Sequence, residues 1–286
     1  MKLVLISGLS GSGKSTALRT LEDLGYYCID NLPVLLLYDF AQQMQRRPAD
    51  TIRNSAVGID ARNLEEDLQQ VPSILERLKN DGVECEVLFL TADDDALFKR
   101  FSETRRKHPL SGNRYSLADA IESERARLEP IVSCANLVID TSLTNIHELR
   151  ELVRERVYGR ARNSISLLFQ SFGYKHGVPG DADFVFDVRC LPNPYWEPQL
   201  RPLNGFDAAV IEYLESQPMV MAMIEDLRGL LERWLPHFEA ENRSYVTVGI
   251  GCTGGQHRSV YTVEKLAAHF RKLLSGTVLT RHRELK

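Results

Sequence analysis

Gly8-Leu9-Ser10-Gly11-Ser12-Gly13-Lys14-Ser15 decides how the chain folds. It is entered from the apolar run Leu3-Val4-Leu5-Ile6 and followed by helical periodicity from Ser15 to Leu24. The stretch satisfies G-x-x-x-x-G-K-[ST] at every fixed position, and the strand–loop–helix setting is the one the motif requires. Such a loop turns backbone N–H groups inward at a helix N-terminus, where unpaired donors and the macrodipole favour anions. Gly8, Leu9, Ser10, Gly11, Ser12 and Gly13 are therefore expected to cradle nucleotide phosphates. Lys14 would reach the β- and γ-phosphates, and Ser15 would offer its hydroxyl to Mg²⁺, which takes few protein oxygens and keeps several waters. ATP or GTP with Mg²⁺ is the expected cofactor, and Lys14 and Ser15 are the candidate catalytic pair.

Outward from this loop, apolar segments at Leu3–Ile6, Tyr26–Ile29, Ala56–Ile59, Val87–Leu90 and Leu137–Ile139 alternate with helical patterns. The helical patterns fall at Ser15–Leu24, Leu35–Arg46, Leu64–Lys79, Asp94–Arg105, Ser116–Val132 and Ile146–Tyr158. Alternation of this kind predicts a parallel α/β sheet over residues 1–158. Residues 159–164, small and polar, read as a linker. A second domain over 165–286 has a different grammar. It opens with a strand at Ile165–Phe169 and a Gly/Pro/aromatic-rich loop region from Gly173 to Gly205. Helices are expected at Ala208–Glu215 and Val220–Phe238, then a strand at Tyr245–Ile250 and a helix at Val260–Leu274.

A chain of 286 residues with 43% hydrophobic content fits two globular domains. No apolar run approaches the roughly 18 residues of a membrane span, and no signal-peptide pattern opens the chain, so a cytoplasmic protein is expected. Five scattered cysteines without metal-ligand spacing predict reduced, structural thiols at Cys28, Cys85, Cys134 and Cys190, with Cys252 a separate case. A net charge of −4 leaves any nucleic-acid contact to local basic patches.

Open α/β sheets bind ligands beyond the carboxyl ends of their strands. Asp30 and Asn31 follow the second strand, where they would act on Mg²⁺ through water or cap a helix. Asp60, Ala61, Arg62 and Asn63 follow the third, and this set could read a guanine edge, a ribose or a γ-phosphate. Arg105, Arg106, Lys107 and His108 read either as a lid over phosphates or as a charged helix end facing water; the second is the expectation.

The other unusual loop is Gly251-Cys252-Thr253-Gly254-Gly255-Gln256-His257-Arg258-Ser259, again between a strand and a helix. Its C-x5-R-S spacing is that of tyrosine-phosphatase-type enzymes, which use a low-pKa Cys with an Arg fork around a phosphate. Such chemistry also needs an acid; Asp181, Asp183 and Asp187 lie in the same domain, and sequence places none beside Cys252. Anion binding is common to both readings. Thr253, Gly254 and Gly255 offer N–H groups, and His257 and Arg258 offer charge-assisted donors.

These two loops, with Cys28-Ile29-Asp30-Asn31-Leu32-Pro33, Asp60–Asn63, Ser171-Phe172-Gly173-Tyr174-Lys175-His176-Gly177, Asp187-Val188-Arg189 and Leu191-Pro192-Asn193-Pro194, resemble the bacterial RapZ/YvcJ family over nearly the whole chain. The resemblance implies a P-loop domain similar to small-molecule kinases, with slow ATPase or GTPase activity, and a C-terminal α/β domain that senses a phosphosugar and binds RNA in a homotetramer. It implies an RNase adapter that binds small regulatory RNA, senses glucosamine-6-phosphate and presents RNA to ribonuclease E. It assigns ATP to Gly8–Ser15 and GTP to Asp60–Asn63. The phosphosugar falls to Asp187, Cys252, Thr253, Gly254, Gly255, His257 and Arg258. RNA falls to Lys175, His176, Arg258, Lys272, Arg281 and Arg283. The bland reading of the last three is a short charged tail, solvated and disordered. Two departures from the enterobacterial pattern stand out: Tyr195 replaces a His, and the chain ends Arg283-Glu284-Leu285-Lys286 without a further basic run. Losing terminal charges weakens RNA affinity, because phosphate contacts dominate it. A P-loop small-molecule kinase and a Cys252 phosphatase are the alternatives.

Overall fold

The computed structural model describes residues 1–46, 54–111, 116–158, 165–241, 243–274 and 276–285. The chain divides into two compact units, Met1–Tyr158 and Gly159–Lys286. The expected linker 159–164 lies outside the described residues.

In the first unit, β1 (Lys2–Gly8) is apolar and buried on both faces, as a central parallel strand must be. It pairs in parallel with β3 (Asn54–Gly58) and β4 (Glu84–Thr91), while β2 (Tyr27–Ile29) and β5 (Leu137–Asp140) form the edges of the order β2-β3-β1-β4-β5. The helices are α1 (Lys14–Asp23), α2 (Leu37–Gln45), α3 (Glu65–Leu68), α4 (Val71–Asn80), α5 (Asp94–Thr104), α6 (Leu117–Val132) and α7 (Ile146–Val153). This is an open parallel α/β sheet, with the glycine loop at the carboxyl end of the central strand. The single helix expected over 64–79 is two, because Pro72 starts a new helix at the first turn of α4 and cannot donate to a preceding one. The pattern expected through Tyr158 is α-helical only to Val153 and then widens into a π turn at Arg154–Tyr158.

The second unit is built on four parallel strands in the order β7-β8-β6-β9: β6 (Ser166–Gly173), β7 (Phe184–Asp187), β8 (Tyr245–Cys252) and β9 (Val278–His282). Around them run α8 (Ala208–Glu215), α9 (Pro218–Ala240) and α10 (Arg258–Leu273). Two strands correct the sequence reading. β7 lies inside the expected loop region, and β9 is formed by the tail read as solvated and disordered. β9 is an edge strand, and charged side chains are what edge strands carry against unwanted pairing. Among the described residues, no helix is long and apolar enough to cross a membrane.

Candidate functional site

The glycine loop is closed by backbone geometry that side chains would obstruct. Gly8 has φ 142°, and a Cβ there would drive into the Leu90 carbonyl oxygen, which accepts the Leu9 N–H at 3.1 Å. The Lys14 ammonium, from the first residue of α1, donates to the carbonyls of Gly8 (2.7 Å) and Leu9 (2.9 Å). Burial pushes Lys14 down, and the nearby Glu124, Asp60 and Asp30 carboxylates work in the opposite direction.

Ser10 through Thr16 line a cavity of about 830 Å³ together with Asp60, Arg62, Arg100, Phe101, Arg106, Lys107, Asn145 and His147. This volume lies within the usual size of a small-molecule site, roughly 300–1,000 Å³. Thus the loop and the Asp60–Arg62 turn face one cavity rather than two. Asp60 and Arg62 form a bidentate ion pair, with Nη2 to Oδ2 at 2.6 Å. Burial pushes the Asp60 carboxyl up, but the Arg62 donors and Lys14 bring it below the usual range. Ala61 is buried, and Asn63 is spent on the chain, its Oδ1 accepting the Val34 N–H at 2.9 Å. The donor set fits a magnesium nucleotide: an exposed Ser15 at the helix start, a carboxylate at Asp60 and the Lys14 ammonium line the same cavity. Arg100 braces the loop from behind, donating to the Gly11 carbonyl at 3.1 Å and to Thr141 Oγ1 at 3.0 Å.

Two residues were not legible as part of this site. Glu124, fully buried on α6, accepts the Ser10 N–H at 2.8 Å and the Ser10 hydroxyl at 2.7 Å. His108 Nε2 stands 3.0 Å from the same carboxylate. The reading of 105–108 as a solvated charged end is therefore wrong at His108, which is 2% exposed. It also means that the Ser10 N–H, expected to face a phosphate, is already taken by a carboxylate.

In the second unit the 252–258 loop is likewise shaped from within. Gly255 N–H donates to Cys252 Sγ at 3.2 Å, and Ser259 Oγ lies 3.1 Å from the same sulfur. Cys252 is 3% exposed, so its sulfur organises the loop rather than facing solvent. Neither Asp183 nor Asp187 stands as a poised acid: Arg243 and the Thr247 N–H hold the first, and Arg189 pairs with the second at 2.7 Å. Arg189 also covers the Tyr174 ring, 3.9 Å from its centroid.

Arg258 is buried, and its Nη1 donates to the carbonyls of Arg189 (2.8 Å) and Leu191 (2.9 Å), while Nη2 reaches Thr253 Oγ1 at 3.3 Å. His257 was expected to offer a charged donor. Burial pushes its imidazole down, and Nε2 sits 3.1 Å from the Leu200 carbonyl, so it serves as a neutral brace. Arg283, expected on an RNA face, instead donates to the carbonyls of Gly177 (3.2 Å) and His176 (3.1 Å). Its neighbour Glu284 packs its carboxylate on Gly255, where a Cβ would collide with it, and burial pushes that carboxyl up. Lys175, His176 and Lys272 are exposed, and Arg281 lies in β9 opposite Gln170. Tyr195 is 47% exposed beside Trp196.

Among known proteins, a family model described as the RapZ-like N-terminal domain matches residues 1–161, and one described as the RapZ C-terminal domain matches 165–286. A protein of Nitrosococcus oceani named nucleotide-binding protein is 61% identical over 285 residues, covering 100% of both chains. One of the same description from Methylococcus capsulatus is 55% identical, covering 100% of this chain and 96% of its own. Among solved structures, a sugar kinase from a Janibacter species aligns at 19% identity and TM-score 0.37, over 56% of this chain and 93% of its own.

Proposed function

The chain belongs to the RapZ family, and from that membership we propose that its N-terminal unit binds ATP or GTP with Mg²⁺ and turns it over slowly. The observation that carries this reading is a single cavity lined by Ser10–Ser15, Asp60 and Arg62. In it, Lys14 neutralises phosphate charge and orients the β- and γ-groups, while Ser15 and, through water, Asp60 would hold the cation. Mg²⁺ supplies charge neutralisation between the phosphates when bound. Arg62 is kept by Asp60 at the cavity wall, where it can turn towards a terminal phosphate. In this reading turnover is slow and the nucleotide serves regulation.

The C-terminal unit, in this reading, senses glucosamine-6-phosphate and binds small RNA as an RNase adapter in a homotetramer, with ribonuclease E as the RNA's destination. The Thr253 and Gly254 amides, in the loop that leads into α10, suit a phosphate, and Asp187 suits an ammonium at the other end of the ligand. Exposed Lys175, His176 and Lys272 suit phosphate contacts to RNA, and their contribution should fall with salt. The cytoplasm is where such an adapter works.

One cavity predicts one nucleotide per chain. GTP should displace a fluorescent ATP analogue completely, in a competition titration of the intact protein with Mg²⁺ present. Simultaneous saturable binding of both would mean that Asp60–Arg62 serves a second site.

A further inference from the structure

We infer that Glu124 and His108 form a clasp that fixes the glycine loop to the cationic segment at the mouth of the nucleotide cavity, making both positioning residues for nucleotide binding. The inference rests on the nucleotide reading above. Three segments distant in sequence meet at one carboxylate: the loop at Ser10, the segment after α5 at His108, and α6 at Glu124 itself. His108 Nδ1 accepts the Leu110 N–H at 3.1 Å, which leaves the ring proton on Nε2, donating to Glu124. The His108 carbonyl takes the Ser111 hydroxyl at 2.7 Å, so the turn that follows closes on the same residue.

Both side chains of the pair are fully buried, 0% exposed. A buried carboxylate is costly unless its oxygens are filled, and here the Ser10 N–H, the Ser10 hydroxyl and the His108 N–H fill them. Burial alone would push Glu124 up; the His108 hydrogen bond, the Lys14 charge and the Ser10 donors outweigh it and hold the carboxyl below its usual range. A charge kept ionised in the interior is poor value as general stability, since apolar residues of the same volume do as well. Its use lies in what it joins. Arg106 and Lys107, immediately before His108, line the cavity with Ser10–Ser15, and their reach is set by where His108 is anchored.

Two opposite outcomes separate this from simple electrostatics. Glu124→Leu keeps about the same volume, removes every acceptor and removes a negative charge near Lys14, so charge repulsion alone predicts tighter ATP binding. The clasp predicts weaker binding, by about tenfold, because Ser10 and His108 lose their common acceptor. The same change in an Arg106→Ala/Lys107→Ala background should then cost little more, since the cations it positions are gone.

The test is titration of the intact protein and these variants with a fluorescent ATP analogue and Mg²⁺, together with amide hydrogen exchange over residues 105–111 without nucleotide. Weaker binding, non-additivity with the double cation variant and faster exchange at 105–111 are expected, and His108→Ala should reproduce them. Unchanged or tighter binding by Glu124→Leu with unchanged exchange would overturn the clasp alone. An intact protein that binds no ATP would overturn the nucleotide reading, and the clasp with it.

Discussion

Replacing Arg258 by alanine should lower the stability of the C-terminal unit by about 2–5 kcal/mol, because the buried carbonyl of Leu191 and the part-buried carbonyl of Arg189 would each lose this donor. That is a large share of the roughly 5–15 kcal/mol that holds a domain folded. Trp196 and Trp234 both lie in this unit, so denaturation followed by their fluorescence reports it directly. Thr253→Ala removes one long hydrogen bond, 3.3 Å, and should cost no more than about 1 kcal/mol. The pair therefore separates folding from recognition. Calorimetric titration with glucosamine-6-phosphate should show binding weakened in a folded Thr253→Ala protein, whereas loss in Arg258→Ala reflects the loop itself. An Arg258→Ala protein as stable as the parent would show that the guanidinium serves a ligand rather than the fold.

The second large effect lies at Gly8. Alanine there must take φ 142° and place its Cβ in the Leu90 carbonyl, at the junction of β1 and β4. Positive-φ strain and overpacking each cost about 1–3 kcal/mol, so the N-terminal unit should lose about 2–6 kcal/mol in all. Gly82 is the control. It also has positive φ, 79°, but a Cβ there meets nothing within 4 Å, and Gly82→Ala should cost only the backbone strain, about 1 kcal/mol. Hydrogen exchange of the β1 and β4 amides measures both variants, and equal protection in the two would mean that the Leu90 contact is relieved at no cost.

Where the sequence was readable, the signal was local. The glycine loop, its strand and its helix are contiguous, so their spacing carries the geometry with it, and continuous apolar runs identified the buried parallel strands. β7 and β9 were missed for complementary reasons: four residues at Phe184–Asp187 are too few to show a period, and β9 carries Arg281 and His282 within five residues. Glu124 and His108 show the harder limit. Their roles come from a junction between residues up to 114 apart in sequence, and nothing in a helix register or an Arg-Arg-Lys-His run marks which member turns inward. The same holds for Arg258, whose motif predicted an anion contact and whose neighbours instead supply two carbonyls 67 and 69 residues away.

The central claim is that the cavity around Lys14 holds a nucleotide. The measurement that tests it most directly is titration of ATP with Mg²⁺ into the intact protein and into Lys14→Met, each first shown to be folded by circular dichroism. Saturable binding by the parent, weakened in the variant by about tenfold to a hundredfold as expected for losing a charge-assisted contact to phosphate, is the predicted result. Equal affinity in the two proteins would place the nucleotide away from the glycine loop and contradict the account.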